Sequence, residues 1–446
     1  MEQNNSYQIE TRELVKVVAS GWLGTAMEFM DFQLYSLAAA IVFTEIFFPN
    51  SDPAMGLIMS MGTYGAGYIA RLVGAYIFGR MGDRLGRRSV LFATITLMGL
   101  ASTLIGFLPT YQEVGIWAPI GLVILRIFQG LGAGAEISGA GVMVAEFCRT
   151  RTRGLVGSLV CLGTSSGTLL ANLIWTVILM TINKADILTW GWRIPFYASF
   201  IVMIVAILIR LFVKESPVMI EKKRLLEMKR AQQMLDVSNE VQAEKKGKKS
   251  FGIALGLRFG QAGNSGLMQT YLAGFIVTVL AVQKTVATDA NIISSLVSFI
   301  TIPFVGYLGD KFGRRKMYMI LSLAMAFYAV PMMIMINSKD TFVLTIAMII
   351  GLNIGVQGLF SLENVTLAEL FGAKDRVTLV SLAKEIAGLI ATGFGPLVAA
   401  GWVSAELGSW WPVAIMIIIF SLTSFWSAYV SEDVTGRDLN KLDDAM

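Results

Sequence analysis

Residues 79–88 read Gly79-Arg80-Met81-Gly82-Asp83-Arg84-Leu85-Gly86-Arg87-Arg88, and residues 306–315 read Gly306-Tyr307-Leu308-Gly309-Asp310-Lys311-Phe312-Gly313-Arg314-Arg315. Asp310 follows Asp83 by 227 positions, about half of the 446-residue chain. Each copy lies between two long apolar runs. One basic turn of this kind could be incidental, but two in register mark an internal parallel repeat. The residue types suggest what the loops do. Glycines let a short loop turn tightly and approach a helix end. The aspartate can accept hydrogen bonds from a helix N-terminus or pair with an arginine. The cluster Arg84, Arg87 and Arg88, like Arg314 and Arg315, holds its loop at an anionic membrane surface. Together these groups can latch the two halves on one side and release them. Topology control alone accounts for the basic residues but poorly for the repeated Gly-Asp spacing.

The sequence around the loops is that of an all-α membrane protein. Hydrophobic residues make up 55% of the chain and charged residues 15%, whereas a soluble domain carries about 25% charge. Mean hydropathy is +0.65. The apolar residues fall into runs of about 20, long enough to cross a bilayer core. Twelve spans are expected, over 15–43, 54–78, 90–108, 115–144, 155–182 and 194–213, then 251–282, 292–308, 318–336, 342–370, 377–403 and 411–430. The expected organisation is an N-terminal segment 1–14, a six-helix bundle 15–213, a middle loop 214–250, a second six-helix bundle 251–430 and a tail 431–446.

Loop charge orients the chain. Ten basic side chains lie between positions 214 and 249; Arg149, Arg151 and Arg153 follow the fourth span, and opposite-side loops hold chiefly Lys184, Lys284 and Lys339. This bias predicts that the middle loop and both termini are cytoplasmic. The net charge of +5 therefore serves topology and membrane lipids, and no nucleic-acid partner is expected. The middle loop alternates Glu and Lys at spacings suited to short surface helices, with Leu225, Leu226, Met228, Met234 and Leu235 placed to lie against the membrane or the bundle underside. Cys148 and Cys161 read as small buried side chains. Histidine is absent, so proton chemistry must fall to carboxylates. No nucleotide-binding loop, histidine metal site or thiol redox pair is evident, and no enzyme activity is expected.

Charged and polar residues inside apolar spans are expensive and usually face a cavity or a partner. Glu28 and Asp31 share one face of the first helix and are the leading proton-site candidates; the competing reading is a helix-pinning network with arginines. Arg71 could pair with either acid or snorkel to the interface. Arg126 and Glu136 lie about 15 Å apart along the fourth helix, so they cannot bond directly. Arg126 suits a substrate carboxylate or a first-span acid. Glu136, nearer the cytoplasm, suits coupling or gating, while the surrounding glycines suggest close helix contact. Glu146 and Arg153 could complete the Asp83 latch. In the second half Arg258, Gln261, Asn264 and Gln269 interrupt the apolar pattern, as happens where a helix unwinds beside a cavity, and Tyr271 could add an aromatic wall. Gln357 and Asn364 are further candidate substrate ligands. Lys384 and Glu385, adjacent and pointing about 100° apart, suit a gate.

At these residues the chain resembles the major facilitator superfamily, whose best-known signature matches the paired loops. The resemblance narrows to the metabolite:proton symporter branch, which includes shikimate, ketoglutarate, citrate and proline/betaine carriers. It is carried by Glu28-Phe29-Met30-Asp31-Phe32 with Tyr35, by Arg126-Ile127-Phe128-Gln129-Gly130 leading to Glu136, by Trp190-Gly191-Trp192-Arg193-Ile194-Pro195-Phe196, and by Lys214-Glu215-Ser216-Pro217. It implies proton-coupled symport of a small organic acid or zwitterion across a bacterial inner membrane, the proton as coupling ion, no other cofactor, and a functional monomer. A proton-independent facilitator or exchanger on the same fold is the alternative. Gly134-Ala135-Glu136-Ile137 stands where many members have Gly-Gly-Glu-Trp, and Met30 where an aromatic is frequent, so no single member's substrate carries over.

Overall fold

The computed structural model describes residues 11–49, 53–232 and 238–446, with side chains described outside 40, 53–65, 225–232, 238–247, 278 and 284–285. The expectations for positions 1–10, for Met234 and Leu235, and for the side chains of Leu225, Leu226, Met228 and Lys284 lie outside the described residues.

Among the described residues the regular structure is all helical, and the segment after Val430 is irregular. We number the long helices α1 Thr11–Ala38, α2 Pro53–Arg84, α3 Arg87–Ile105, α4 Trp117–Phe147, α5 Arg153–Thr181, α6 Ile194–Leu211, α7 Pro217–Gln232, α8 Ser238–Ser265, α9 Lys284–Phe312, α10 Arg314–Asn337, α11 Thr341–Leu370, α12 Arg376–Ala405 and α13 Trp411–Val430. Among the described residues nine helices are long and apolar enough to cross a membrane, and ten if α1 and its bent continuation to Phe47 form one span. Large apolar side chains such as Ile201, Ile300, Phe304 and Phe327 stand on the outer surface, where a bilayer would cover them.

Two differences from the sequence reading have physical causes. The middle loop carries the expected surface helix in α7, but its second part is continuous with the next span: α8 begins at Ser238 rather than 251 because its Glu and Lys residues favour helix without needing lipid. The polar interruption after Arg258 does not unwind the chain. It widens the helix into a π-turn at Gly266–Tyr271, and helix resumes over Leu272–Thr278. Similar π-turns occur in α11 at Leu352–Gly358 and in α12 at Leu389–Phe394. Such bulges recur at functional sites.

Small residues set the helix spacing. A Cβ on Gly130 would lie 2.2 Å from the Gly67 carbonyl oxygen, and one on Gly134 would lie 2.1 Å from that of Arg71. The glycines of α4 are thus contact points that bring α2 close enough for its polar groups to reach α4. In the first half Phe43, Phe47, Trp192 and Phe196 form an aromatic cluster, and in the second half Met268, Met325, Met332 and Met348 fill the core.

Candidate functional site

The halves meet through two latches of one design. Asp83, at the end of α2, accepts from the backbone N–H of Val377 (3.1 Å) and of Thr378 (2.8 Å) and from the Thr378 hydroxyl (2.8 Å), all in the first turn of α12. Asp310, at the end of α9, accepts from the backbone N–H of Gly154 (2.7 Å) and Leu155 (2.8 Å) in the first turn of α5. Each aspartate therefore supplies the missing acceptor at a helix N-terminus of the opposite half. Around each lies a matching charge cluster. Arg87 pairs with Asp83 (3.2 Å) and Glu146 (3.1 Å), and Glu146 receives Arg376 from the second half (2.7 Å). Arg314 pairs with Asp310 (3.1 Å) and Glu369 (2.5 Å), and Glu369 receives Arg153 from the first half (2.6 Å). Glu146 joins the charge cluster around Asp83, whereas Arg153 joins the one around Asp310. The reason is topological: Arg153 opens α5, the helix that Asp310 caps.

The loops turn through Gly86 (φ 129°) and Gly313 (φ 93°), conformations that favour glycine. Glu215, just after α6, accepts from the Arg87 and Arg88 backbone N–H groups, while Thr435, just after α13, accepts from the Arg314 N–H. Arg88 donates to the Leu211 carbonyl and Arg315 to those of Ala428 and Tyr429. Arg84 is exposed. Lys222 of α7 donates to the carbonyls of Asp83 (2.9 Å) and Lys374 (2.6 Å), one in each half, and burial there pushes its ammonium below the ordinary lysine range. The segment after α13 covers this face. Arg153 donates to the Arg437 carbonyl, Arg376 to that of Leu439, and Asp444 accepts from the Gly372 N–H. Sequence reasoning gave this tail no contact, because its polar composition resembles a solvated end; Leu439 and Met446 are nonetheless buried in the core beneath it.

Apart from the Glu136–Arg210 pair, the other buried charges away from these loops form three groups. Arg71 is shared: it donates to Glu28 (2.7 Å) and forks onto Glu385 of α12 (2.7 and 2.9 Å), with Phe32 and Tyr68 against its face. Asp31 accepts from Ser102 (2.5 Å) and Ser199 (2.6 Å); Gln129 donates to Ser102 (2.6 Å) and accepts from Arg126, whose guanidinium lies 3.7 Å from the centre of the Tyr35 ring. Arg258 meets Gln261 (2.6 Å) and Glu363 (3.1 Å), and Lys384 meets Glu363 (3.0 Å) and Asn364 (2.7 Å). Lys384 and Glu385 thus serve different networks, as their angular offset requires.

Other candidates are placed differently. Glu136 is held by Arg210 and by Thr94 (2.5 Å), joining α4 to α3 and α6. Arg210 was missed, since an arginine in the last turn of an apolar helix reads as a snorkelling end. Asn264 donates to Ser421 of α13 (3.0 Å). Gln261 also donates to the Val356 carbonyl, Gln357 is buried, and Tyr271 packs by Phe275. Ser102, Ser199 and Gln129 were unmarked because single hydroxyls and amides are common in membrane helices.

Helices long and apolar enough to span a bilayer, with ion pairs buried between helices of the first and second halves, fit a polytopic membrane transporter. The pattern of the family described as sugar (and other) transporter matches residues 37–435, and the chain belongs to this family, within the major facilitator superfamily. It is a family of carriers rather than catalysts. The chain is 52% identical over 424 residues to the protein YdfJ of Escherichia coli (strain K12), covering 93% of this chain and 96% of YdfJ. It is 29% identical over 418 residues to the shikimate transporter of the same organism, covering 94% of each. Among solved structures it is similar to the proton:xylose symporter XylE bound to 6-bromo-6-deoxy-D-glucose, with a TM-score of 0.79, 18% identity and coverage of 97% of this chain and 98% of that one. At that identity the likeness speaks for the fold alone.

Proposed function

We propose that the protein is a proton-coupled symporter moving a small carboxylate-bearing or zwitterionic metabolite across the bacterial inner membrane by alternating access. Twelve spans form two six-helix units, 15–213 and 251–430, with the middle loop, both termini and the latches on the cytoplasmic side. The unit is a monomer in contact with membrane lipids. The observation that carries this reading is the pair of cross-half latches, which close one side through contacts that can be broken and remade. A closed cytoplasmic side leaves substrate to enter from outside, and rocking of the units would then reverse access.

Glu28 and Asp31 are the proton sites in this scheme. Asp31 accepts from the Ser102 and Ser199 hydroxyls, and Gln129 links Ser102 to Arg126, so a change at the arginine is felt at the acid. Arg126 with Tyr35, and Arg258 with Gln261, are the groups that would receive a carboxylate. Asn364, Gln357 and Tyr271 flank the second set. Glu136, enclosed by Arg210 and Thr94, ties helices together more than it carries protons. The 29% identical shikimate carrier supports a small organic acid as the cargo class.

The test is uptake into proteoliposomes under an inward proton gradient, with shikimate-like acids, other organic acids and betaines as solutes. Accumulation abolished by an uncoupler and by Asp31→Asn is the expected result. Equilibration indifferent to the gradient would replace symport with facilitation or exchange.

A further inference from the structure

Arg71 forks onto Glu385 of the second half while also bonding the buried Glu28 of its own half, and the consequences follow from its charge. We infer that Glu385 ties protonation to conformation by competing with Glu28 for Arg71, a mechanism that rests on the symport reading above. Two buried carboxylates against one guanidinium leave a surplus negative charge, and unpaired buried charge is strongly disfavoured. The surplus is removed by one proton. Glu385 uses both oxygens on Arg71, whereas Glu28 bonds through Oε1 and its buried Oε2 has no hydrogen-bond partner. Glu28 is therefore the acid that holds the proton while the latch side is closed.

Opening that side separates α12 from α2 and takes Glu385 off Arg71. The remaining Arg71–Glu28 pair is balanced as two ions, so the proton leaves Glu28 as a hydrated proton into the newly opened vestibule. No covalent step is involved. Closing returns Glu385 to Arg71 and restores the demand for a proton. The other charged and titratable groups around the triad are accounted for. Tyr68 lies beside Arg71 on α2, Arg126 of α4 approaches Gly67, Glu136 is already matched by Arg210, and Lys384 is turned away to Glu363. None of them replaces Glu385 as the second acid on Arg71.

Since the closed form binds one proton more, the open-to-closed ratio rises with pH, by on the order of tenfold per unit within the titrating window. The measurement uses the purified full-length protein without solute. Spin labels at Ser89→Cys and Lys316→Cys, exposed on the latch side of the two halves, report the separation on a background with Cys148→Ala and Cys161→Ala. The parent and Glu385→Asp should open as pH rises, while Glu385→Gln and Glu28→Gln should lose that slope. A Glu385→Gln protein that opens by a constant factor at every pH, with the slope kept, would make Glu385 a plain gate contact and overturn the inference. So would a flat parent or a sloping Glu28→Gln. Silent or gradient-indifferent uptake with the parent's slope intact would remove symport while leaving the shared-arginine switch standing.

Discussion

Asp83 and Asp310 are bound to the helix starts of each other's halves: the first-half aspartate accepts from Val377 and Thr378, the second-half aspartate from Gly154 and Leu155. Neither caps a helix of its own half. The repeated loops are therefore one half's grip on the other, and the two grips share one design, with the Thr378 hydroxyl as an extra donor to Asp83.

The shared design gives the first prediction. A hydrogen bond to a charged group contributes about 1.5–3 kcal/mol. Asp83→Asn and Asp310→Asn should each shift the open-to-closed ratio toward open by roughly 10- to 100-fold. The spin-label separation at Ser89 and Lys316 reads both. A large effect from one and none from the other would show that the latches differ in function despite their matched geometry.

Steric contact between the halves can be tested without touching a charge. A Cβ on Gly157 of α5 would lie 2.2 Å from Val365 Cγ2 of α11. Gly157→Leu should wedge the latch side apart and raise the open population. Its companion Val365→Ala, which removes the obstructing methyls, should restore closure in the double variant.

Glu136 and Arg210 form a buried pair. Removing one partner from such a pair costs about 3–5 kcal/mol, because the other charge stays buried. Arg210→Met and Glu136→Gln should each lower the thermal unfolding midpoint in detergent sharply, and the double variant should recover part of the loss. Equal losses in all three would mean that the pair acts through packing.

Asp444 adds a pH dependence at the tail. Burial raises its carboxyl above the ordinary aspartate value of 3.8, although the Gly372 N–H opposes this. The sign follows: docking favours the protonated acid, so its contribution is full below about 3.8 and fades as pH rises through the higher docked value. Protease cleavage at Lys441 should accordingly quicken over that interval, and Asp444→Asn should flatten the change.

The fold was legible because its two decisive signals are local and redundant. Apolar runs of spanning length and a loop repeated in register need no knowledge of tertiary contact. The latch chemistry was legible from Gly-Asp-Arg spacing, as was the offset of Lys384 from Glu385. What stayed hidden were partners chosen by packing. Arg71 offered Glu28 or Asp31 from the sequence, but nothing placed Glu385, 314 positions away, on the same guanidinium. Arg210 was concealed by its position at a helix end. Glu215 and Thr435 show that the repeat extends past the sixth and last helices, yet one copy uses a carboxylate and the other a hydroxyl, so residue identity did not reveal it.

The crossed latches constrain how this chain can be recombined. Were the first half of a relative joined to the second half of this one at the middle loop, each loop would meet a foreign helix start. Lys222 would reach for one native and one foreign carbonyl. Such a chimera would inherit intact helices and a mismatched seam. Matching that seam calls for exchanging the first turns of α5 and α12 with the loops that hold them, so the inheritable module is the grip and its target rather than the half-chain.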